Sequence, residues 1–164
     1  MSTARRLLFG GFLFCLGLLL ASLYMQHVME LEPCPLCILQ RLLVMVTGIF
    51  FLIAALHNPA SKGMKVYAGL ISLSALVGAA VSARHVWLQS LPAEQVPSCG
   101  PGMDFIMDNF PLVDAMSLIL RGSGECAEVS WTFLSLSIPA WTLLAFLGMF
   151  GVVVLAVWRQ SQPQ

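Results

Sequence analysis

At residues 33–41 the chain reads Pro-Cys-Pro-Leu-Cys-Ile-Leu-Gln-Arg, a stretch that joins an apolar run ending near Tyr24 to another beginning at Leu42. Its two cysteines are separated by two residues, and an arginine follows four positions after the second cysteine. The apolar run from Leu42 is about 15 residues long, roughly 22 Å as a helix, against a hydrocarbon core of about 30 Å. The helix is therefore predicted to begin earlier, near Pro35 or Cys37, because proline suits a first helical position. This start would put a dithiol where a membrane helix meets water.

The composition is that of a membrane protein. Of the 164 residues, 59% are hydrophobic and 10% are charged, whereas soluble domains carry about 25% charged residues. The expected fold class is an all-α membrane protein, a four-transmembrane-helix bundle that forms a single membrane domain over residues 1–164. The four spans are predicted at roughly residues 7–24, 37–56, 66–86 and 138–158.

The charges are sorted between the connections. All eight carboxylates lie from Glu30 to Glu128, in the first and third connections. Basic residues occupy the amino terminus, the second connection and the carboxyl tail, at Arg5, Arg6, Lys62, Lys65 and Arg159. Because an excess of Lys and Arg marks the cytoplasmic side, both termini are predicted to be cytoplasmic. Loops 25–36 and 87–137 are then predicted on the outer side.

Four of the five cysteines fall in or beside these outer loops, where an oxidising environment lets disulfides persist. Cys34, Cys37, Cys99 and Cys126 allow three pairings. The two-residue spacing and the distant second pair favour Cys34–Cys37 and Cys99–Cys126. Cys15 lies within the first span among apolar neighbours, so it is interpreted as a small buried hydrophobe.

The C-x-x-C pair at a helix start is suited to thiol exchange, because a helix dipole and a nearby cation stabilise a thiolate. Cys37 and Arg41 lie four residues apart on one helical face, so Cys37 is predicted to be the stabilised thiolate. Arg41 is a candidate functional residue because an intramembrane arginine is costly, with snorkelling to the headgroups as the alternative. Arg84 and His85 are predicted to form a second polar cluster at the same level, with an ordinary interfacial histidine as the alternative for His85.

Two structural uses of the cysteines compete with a redox role. A zinc site needs four nitrogen or sulfur ligands, which Cys34, Cys37, Cys99 and Cys126 could supply. The spacing from 99 to 126 lacks the paired knuckle of most structural zinc sites, and zinc would not account for Arg41, so no metal is expected. The other alternative is a non-enzymatic scaffold whose disulfides only brace its outer loops.

A redox-active dithiol in a membrane needs an electron acceptor. The sequence contains no flavin or haem attachment motif and no basic nucleic-acid patch, so a membrane quinone is the economical acceptor and no nucleic-acid partner is expected. A quinone can reach the level of Cys37, Arg41 and His85 from within the bilayer, takes two electrons and requires protons that the outer water supplies.

The third connection is predicted to contain a short amphipathic helix that Gly122 ends. Its apolar residues follow Pro111 at helical spacing: Leu112, Val113, Met116, Ile119 and Leu120. The helix is expected to lie in the membrane interface, although packing on a partner would give the same periodicity. Glycine-rich stretches 100–102 and 122–124, beside Cys99 and Cys126, are predicted to be flexible arms.

The motifs resemble those of the DsbB family of disulfide bond formation proteins. The resemblance covers nearly the whole chain, including the number of helices and the order of the cysteines. It is carried by residues 34–41, His85 with Leu88-Gln89, residues 122–128, Trp131 and residues 139–141. It implies a multi-pass protein of the bacterial inner membrane, a thiol:quinone oxidoreductase that reoxidises a periplasmic DsbA-like thioredoxin-fold protein with ubiquinone or menaquinone.

The resemblance also implies a role for each cysteine. Cys99 would form the intermolecular disulfide with the DsbA-like partner while Cys126 leaves, and Cys126 would then pass electrons to Cys34. Cys37 would meet the quinone in a charge-transfer contact. Arg41 would support the quinone, and His85 matches a histidine near that site.

Two departures from the family pattern concern Pro35 and the Cys99 flank, Ser98-Cys99-Gly100-Pro101-Gly102. The second leaves open which DsbA-like partner is accepted. A rival with the same chemistry is a vitamin K epoxide reductase-like enzyme, but its redox pair lies near a late helix, whereas this pair precedes the second span.

Overall fold

The computed structural model describes residues 3–98 and 103–162. Within those residues the chain is mainly helical, with one short antiparallel hairpin in which Thr132 lies opposite Ser137. The helices are α1 Thr3–His27, α2 Pro35–His57, α3 Ser61–Gln89, α4 Met103–Asn109, α5 Leu112–Arg121, α6 Gly124–Ala127 and α7 Ile138–Ser161, with a 3₁₀ turn at Ala93–Gln95. The strands are β1 Thr132–Phe133 and β2 Leu136–Ser137.

Helices α1, α2, α3 and α7 are long and apolar enough to cross a membrane. The predicted four-helix bundle is therefore confirmed, and each helix extends past its predicted span. The helices pack in a ring, α1 on α2, α2 on α3, α3 on α7 and α7 on α1. Their outward sides expose apolar side chains, among them Leu13, Ile49, Leu73 and Leu147. Contiguous apolar surface of this extent is typical of contact with lipid.

The start of α2 agrees with the sequence prediction. Cys34 is the N-cap residue in an extended conformation, and Pro35 opens the helix. Proline is tolerated there because its missing N–H would have no helical partner in the first turn. This local signal fixes the dithiol at the helix end.

Two contacts between glycine and phenylalanine set how closely the helices approach. A Cβ atom at Gly11 would lie 2.7 Å from the ring of Phe51, and one at Gly78 would lie 2.3 Å from the ring of Phe146. Both rings are fully buried. Small residues at such positions let helix backbones approach in a membrane, so these contacts hold α1 on α2 and α3 on α7.

Helix α5 occupies the predicted residues and ends before Gly122. Ala115 and Ile119 are buried, whereas Leu112 and Val113 are 71% and 80% exposed. The position of α5 in the membrane interface stays a prediction. Gly122 has a φ of +79°, and a Cβ there would lie 2.4 Å from Leu88, so both its conformation and its packing require glycine.

The segment after α5 is packed against the bundle. Ser123 is 8% exposed and Cys126 is completely buried, while α6 contacts both α2 and α3. The prediction of a flexible arm at residues 122–124 is therefore wrong for this conformation. The other predicted arm, residues 100–102, lies outside the described residues.

Candidate functional site: a buried thiol cluster

Three cysteines meet where α2 begins. Cys34 donates a hydrogen bond to Cys37, with their Sγ atoms 3.2 Å apart, and Cys126 is buried in the same group of residues as Cys34. The three cysteines therefore form one cluster, in which Cys37 accepts a hydrogen bond from Cys34. Cys34 and Cys126 are buried, while Cys37 is partly exposed. All three are free thiols, so the Cys34–Cys37 disulfide stays a prediction.

Helix α2 also directs backbone groups at this cluster. Leu36, in the first turn, is buried in the same group of residues as Cys126, and its N–H favours negative charge on that sulfur. The first N–H groups of a helix have no partner within the helix, so they are free to bind a sulfur that carries negative charge. The chain beyond α5 thus brings Cys126 to the positive end of the α2 dipole.

The cluster makes Cys34 and Cys126 poor acids. The neighbouring thiol of Cys126 lowers the pKa of Cys34, but the bond to Cys37, burial and repulsion from Cys37 offset this effect and raise that pKa to about 12. The pKa of Cys126 is also raised, by the neighbouring Cys34 and by burial. Both groups therefore stay protonated at neutral pH when the cluster is reduced.

His85 belongs to the same cluster. It is 2% exposed, and its Nε2 atom lies 3.7 Å from the Sγ atom of Cys34. Its Nδ1 atom lies 3.1 Å from the side-chain amide of Gln40, which is also buried. The alternative of an ordinary interfacial histidine is thus wrong. Sequence reasoning missed the role of Gln40, although an amide three residues after Cys37 in an apolar helix was a usable signal.

Arg84 does not join this cluster, in contrast to the predicted pairing with His85. Its guanidinium lies 4.2 Å from the ring centroid of Trp87 and donates to the carbonyl oxygens of Leu120 and Arg121. Arg84 therefore binds the carboxyl end of α5. This contact satisfies carbonyl groups that the end of a helix leaves without partners.

Arg41 is held by α1. Its Nη1 atom donates to Oε1 of Gln26 at 2.6 Å, and its Nη2 atom donates to the carbonyl oxygen of Ser22 at 3.4 Å. These bonds keep the partly buried guanidinium against the bundle instead of letting it extend freely as snorkelling requires. Sequence reasoning did not identify Ser22 or Gln26.

Two cavities adjoin the cluster, and Cys37 lines both of them. The smaller has a volume of about 40 Å³. Its wall includes polar and acidic residues: Cys34, His85, Gln89, Glu32, Glu125 and Glu128. The larger has a volume of about 400 Å³, with Gln40 and Arg41 beside Cys37 on a wall that is otherwise mainly apolar. Cys37 therefore lies between a polar cavity and a mainly apolar one.

Aromatic residues of the β1–β2 hairpin and α7 line the far side of the large cavity. The rings of Trp131 and Phe133 are stacked, with centroids 6.1 Å apart. Trp141 donates its indole N–H to the carbonyl oxygen of Phe133 at 3.0 Å. These contacts fix the hairpin on α7, so the hairpin forms part of the cavity wall.

Cys99 lies outside the described residues, and the predicted Cys99–Cys126 disulfide stays a prediction. The backbone immediately before it is described. The carbonyl oxygen of Ser98 accepts a hydrogen bond from the N–H of Gly124 at 3.4 Å. The residue that precedes Cys99 therefore contacts α6, two positions before Cys126.

The bundle and its cluster define a class of protein, a four-span membrane protein with a buried dithiol at the start of its second helix and an apolar cavity beside it. The family described as Disulfide bond formation protein DsbB matches residues 4–156. The chain belongs to that family, and the predicted resemblance is confirmed.

Individual relatives cover nearly the full length. Disulfide bond formation protein B of Nitrosococcus oceani is 56% identical over 160 residues, which is 98% of this chain and 93% of the relative. The protein of the same name from Saccharophagus degradans is 54% identical over 88% of this chain and 86% of its own. That of Methylococcus capsulatus is 51% identical over 98% of both chains. The similarity thus includes all four spans and the loops that carry the cysteines.

Proposed function

We propose that this protein is a thiol:quinone oxidoreductase of the bacterial inner membrane that reoxidises a periplasmic DsbA-like dithiol protein. The observation that carries the proposal is the position of Cys37. It accepts a hydrogen bond from Cys34 on one side and lines a large apolar cavity on the other. Electrons that enter as thiols from the periplasm would leave at that cavity.

The order of the three described sulfurs supports a relay. Once Cys126 has been released as a thiolate, it attacks Cys34 of a Cys34–Cys37 disulfide. The Cys34–Cys37 bond breaks, a Cys126–Cys34 bond forms and Cys37 leaves as the thiolate. Contact between Cys126 and Cys34 in the reduced state means that this exchange requires little movement. Cys99 would be the residue that the DsbA-like partner attacks first.

The large cavity fits a quinone. Its volume of about 400 Å³ lies within the roughly 300–1,000 Å³ of small-molecule sites, which are mostly apolar with a few polar groups. Leu18, Val44 and Trp141 contribute apolar surface, and Arg41 contributes a cation. A bound quinone supplies an acceptor for two electrons and two protons.

The residues around Cys37 would direct the electrons and the protons to different cavities. Arg41 lines the same cavity as Cys37. Its positive charge would favour a thiolate at Cys37, and its guanidinium would donate hydrogen bonds to an oxygen atom of the ligand. The polar cavity on the other side, with His85 and Glu128 in its wall, gives protons a route to water. We assign ubiquinone or menaquinone as the acceptor class and place both termini in the cytoplasm, on the charge distribution.

The test is thiol consumption by the purified protein with a reduced DsbA-like substrate and a short-chain quinone. The wild type should oxidise the substrate with equal amounts of disulfide and quinol formed. Cys37→Ser should reduce turnover to background, whereas the matched Cys15→Ser variant, whose sulfur is buried against Met149, should retain it. Undiminished turnover in Cys37→Ser would overturn the role of Cys37, whereas no turnover in the wild type would favour a scaffold whose disulfides are structural.

A further inference from the structure

The cluster presents three metal-ligand atoms at close range. The Sγ atoms of Cys34 and Cys37 and a ring nitrogen of His85 all lie within 4.8 Å of one another. The two sulfurs are 3.2 Å apart, and Nε2 of His85 is 3.7 Å from Sγ of Cys34. Zinc bonds of about 2.3 Å to sulfur and 2.0–2.1 Å to nitrogen in tetrahedral geometry hold ligand atoms roughly 3.5–3.8 Å apart. The observed distances come near these values.

We propose that the reduced protein binds one Zn²⁺, or a chemically similar soft divalent cation, through Cys34, Cys37 and His85, and that this ion blocks thiol oxidation. Binding forms two metal–sulfur bonds and displaces to water any protons that the two sulfurs carry, and no electrons are transferred. From the sequence no metal is expected, but that expectation concerns a site of four cysteines that includes Cys99 and Cys126. The structure supplies a histidine in their place.

The small cavity provides the fourth ligand. Its volume of about 40 Å³ exceeds the roughly 10–15 Å³ that a water molecule needs. A water there would complete four ligands on an ion held by Cys34, Cys37 and His85, all three of which line the cavity. Three protein ligands and a water are the usual set for a zinc site that stays open to solvent.

Gln40 is arranged to orient the histidine. Its side-chain amide lies 3.1 Å from Nδ1 of His85, and a glutamine amide can present either its oxygen or its nitrogen. With the oxygen towards the ring, Gln40 accepts a hydrogen bond from Nδ1–H, and this tautomer leaves a lone pair on Nε2 beside Cys34. Metal-binding histidines are generally held by such a bond from the second nitrogen.

Three carboxylates give the ion a favourable approach. Glu32, Glu125 and Glu128 are exposed and line the same small cavity as the thiols. Clustered negative charge raises the local concentration of cations. The route from water to the proposed site is therefore acidic, whereas the large cavity, which Glu32 also lines, carries the cation of Arg41.

Metal binding is measured apart from turnover, because binding depends only on the cluster whereas inhibition also rests on the proposed function. Each protein carries Cys99→Ser, so that the loop dithiol cannot compete as a site. Reduced protein is titrated with Zn²⁺ against a chromophoric chelator, and Co²⁺ replaces Zn²⁺ to reveal thiolate ligands by their charge-transfer absorption.

We expect one Zn²⁺ per protein, with affinity lowered about 10- to 100-fold by Gln40→Ala and lowered further by His85→Ala. Cys15→Ala should leave binding unchanged. Because a substitution can impair folding, the same protein is also measured with Cys34 and Cys37 blocked by N-ethylmaleimide, which must abolish binding. Zinc binding that survives blocking or His85→Ala overturns the site.

Inhibition is tested in the otherwise unmodified protein by adding Zn²⁺ at the measured dissociation constant, where turnover should fall about twofold and recover when a chelator is added. Full turnover with zinc bound overturns the inhibitory part of the proposal. Absence of turnover without zinc overturns the proposed function instead, and leaves the binding result to be judged by the titration.

Discussion

Buried sulfur occurs in two regions of this molecule, and its neighbours differ. In the middle of the bundle, Cys15 is 1% exposed and donates to the Sδ atom of Met149 at 3.2 Å. At the start of α2, Cys34 is 7% exposed but contacts two further thiols and the ring of His85. Burial alone therefore does not decide what a cysteine does, because the first sulfur is hydrogen-bonded to a thioether, which neither exchanges protons nor forms disulfides, whereas the second has partners for proton and electron transfer.

The two regions also differ in the packing around them. The mid-bundle region depends on close helix approach, as at Gly78 and Phe146, while the region at the start of α2 keeps open space beside its polar groups. A change of volume should therefore be costly in the first region, and a change of charge or hydrogen bonding should matter most in the second. The predictions below test this difference, beginning with the largest expected effect.

The titration of Cys34 tests whether the thiol cluster at the start of α2 raises the pKa of that residue. A pKa raised from 9.0 to about 12 lowers the thiolate fraction about a thousandfold at neutral pH, at tenfold per unit. Because only the thiolate is alkylated readily, the rate at Cys34 in the reduced protein should rise about tenfold per pH unit to beyond pH 10. Mass spectrometry of the iodoacetamide-labelled peptide measures this rate.

The pH dependence of the alkylation rate distinguishes a raised pKa at Cys34 from poor access of the reagent to that residue. Steric protection lowers the alkylation rate equally at every pH, so it cannot move the pH at which the rate levels off. A plateau near pH 9 would show that the neighbouring thiols do not hold the proton on Cys34.

The core of the bundle should respond to volume. Gly78→Ala places a Cβ atom 2.3 Å from a fully buried ring, and overpacking of this kind costs roughly 1–3 kcal/mol in unfolding free energy. Gly69→Ala is the matched change on the same helix, since nothing lies within 4 Å of its Cβ position. It should leave the protein equally or slightly more stable. Unfolding in detergent of both variants checks this, and equal stabilities would contradict the packing argument.

The cation beside the large cavity should affect quinone use without affecting the fold. Arg41→Ala is expected to raise the KM for quinone about tenfold, a loss of about 1.4 kcal/mol, while the reaction with the DsbA-like substrate continues. Arg84→Ala is the control, because that arginine lies on Trp87 and outside the large cavity. An unchanged KM in Arg41→Ala would remove the role proposed for it.

Much of this difference between regions could be predicted from the sequence. The short apolar run after residue 41 and the proline at position 35 correctly predicted where α2 begins, because span length and first-turn chemistry are local properties. The apolar surroundings of Cys15 correctly predicted its burial. The helix over residues 112–121 was predicted from the helical spacing of its apolar residues, which is recognisable because polar residues lie between them.

The cluster itself could not be assembled in this way. Helix α3 is apolar on most sides, so its periodicity does not determine which residue faces α2. Arg84 and His85 were grouped together, yet consecutive helical residues point about 100° apart. The structure directs His85 into the cluster and Arg84 to α5. The contact of Gln40 with His85 joins residues 45 apart in the chain, a separation over which local sequence carries no signal.

The smallest expected effect is a hydrogen bond between helices in the core. Thr47 and Ser74 are buried, with their hydroxyl oxygens 2.9 Å apart. Such bonds average about 0.6 kcal/mol within membrane bundles, so a double-mutant cycle with Thr47→Val and Ser74→Ala should give a coupling near that value. Thr142→Val is the control, because its hydroxyl bonds to its own helix as that of Thr47 also does but makes no hydrogen bond to Ser74, so it should show no coupling to Ser74→Ala. A coupling above about 2 kcal/mol would exceed the largest usually found. It would mean that the core also depends on polar contacts, so that the core and the thiol cluster at the start of α2 would differ less than argued above.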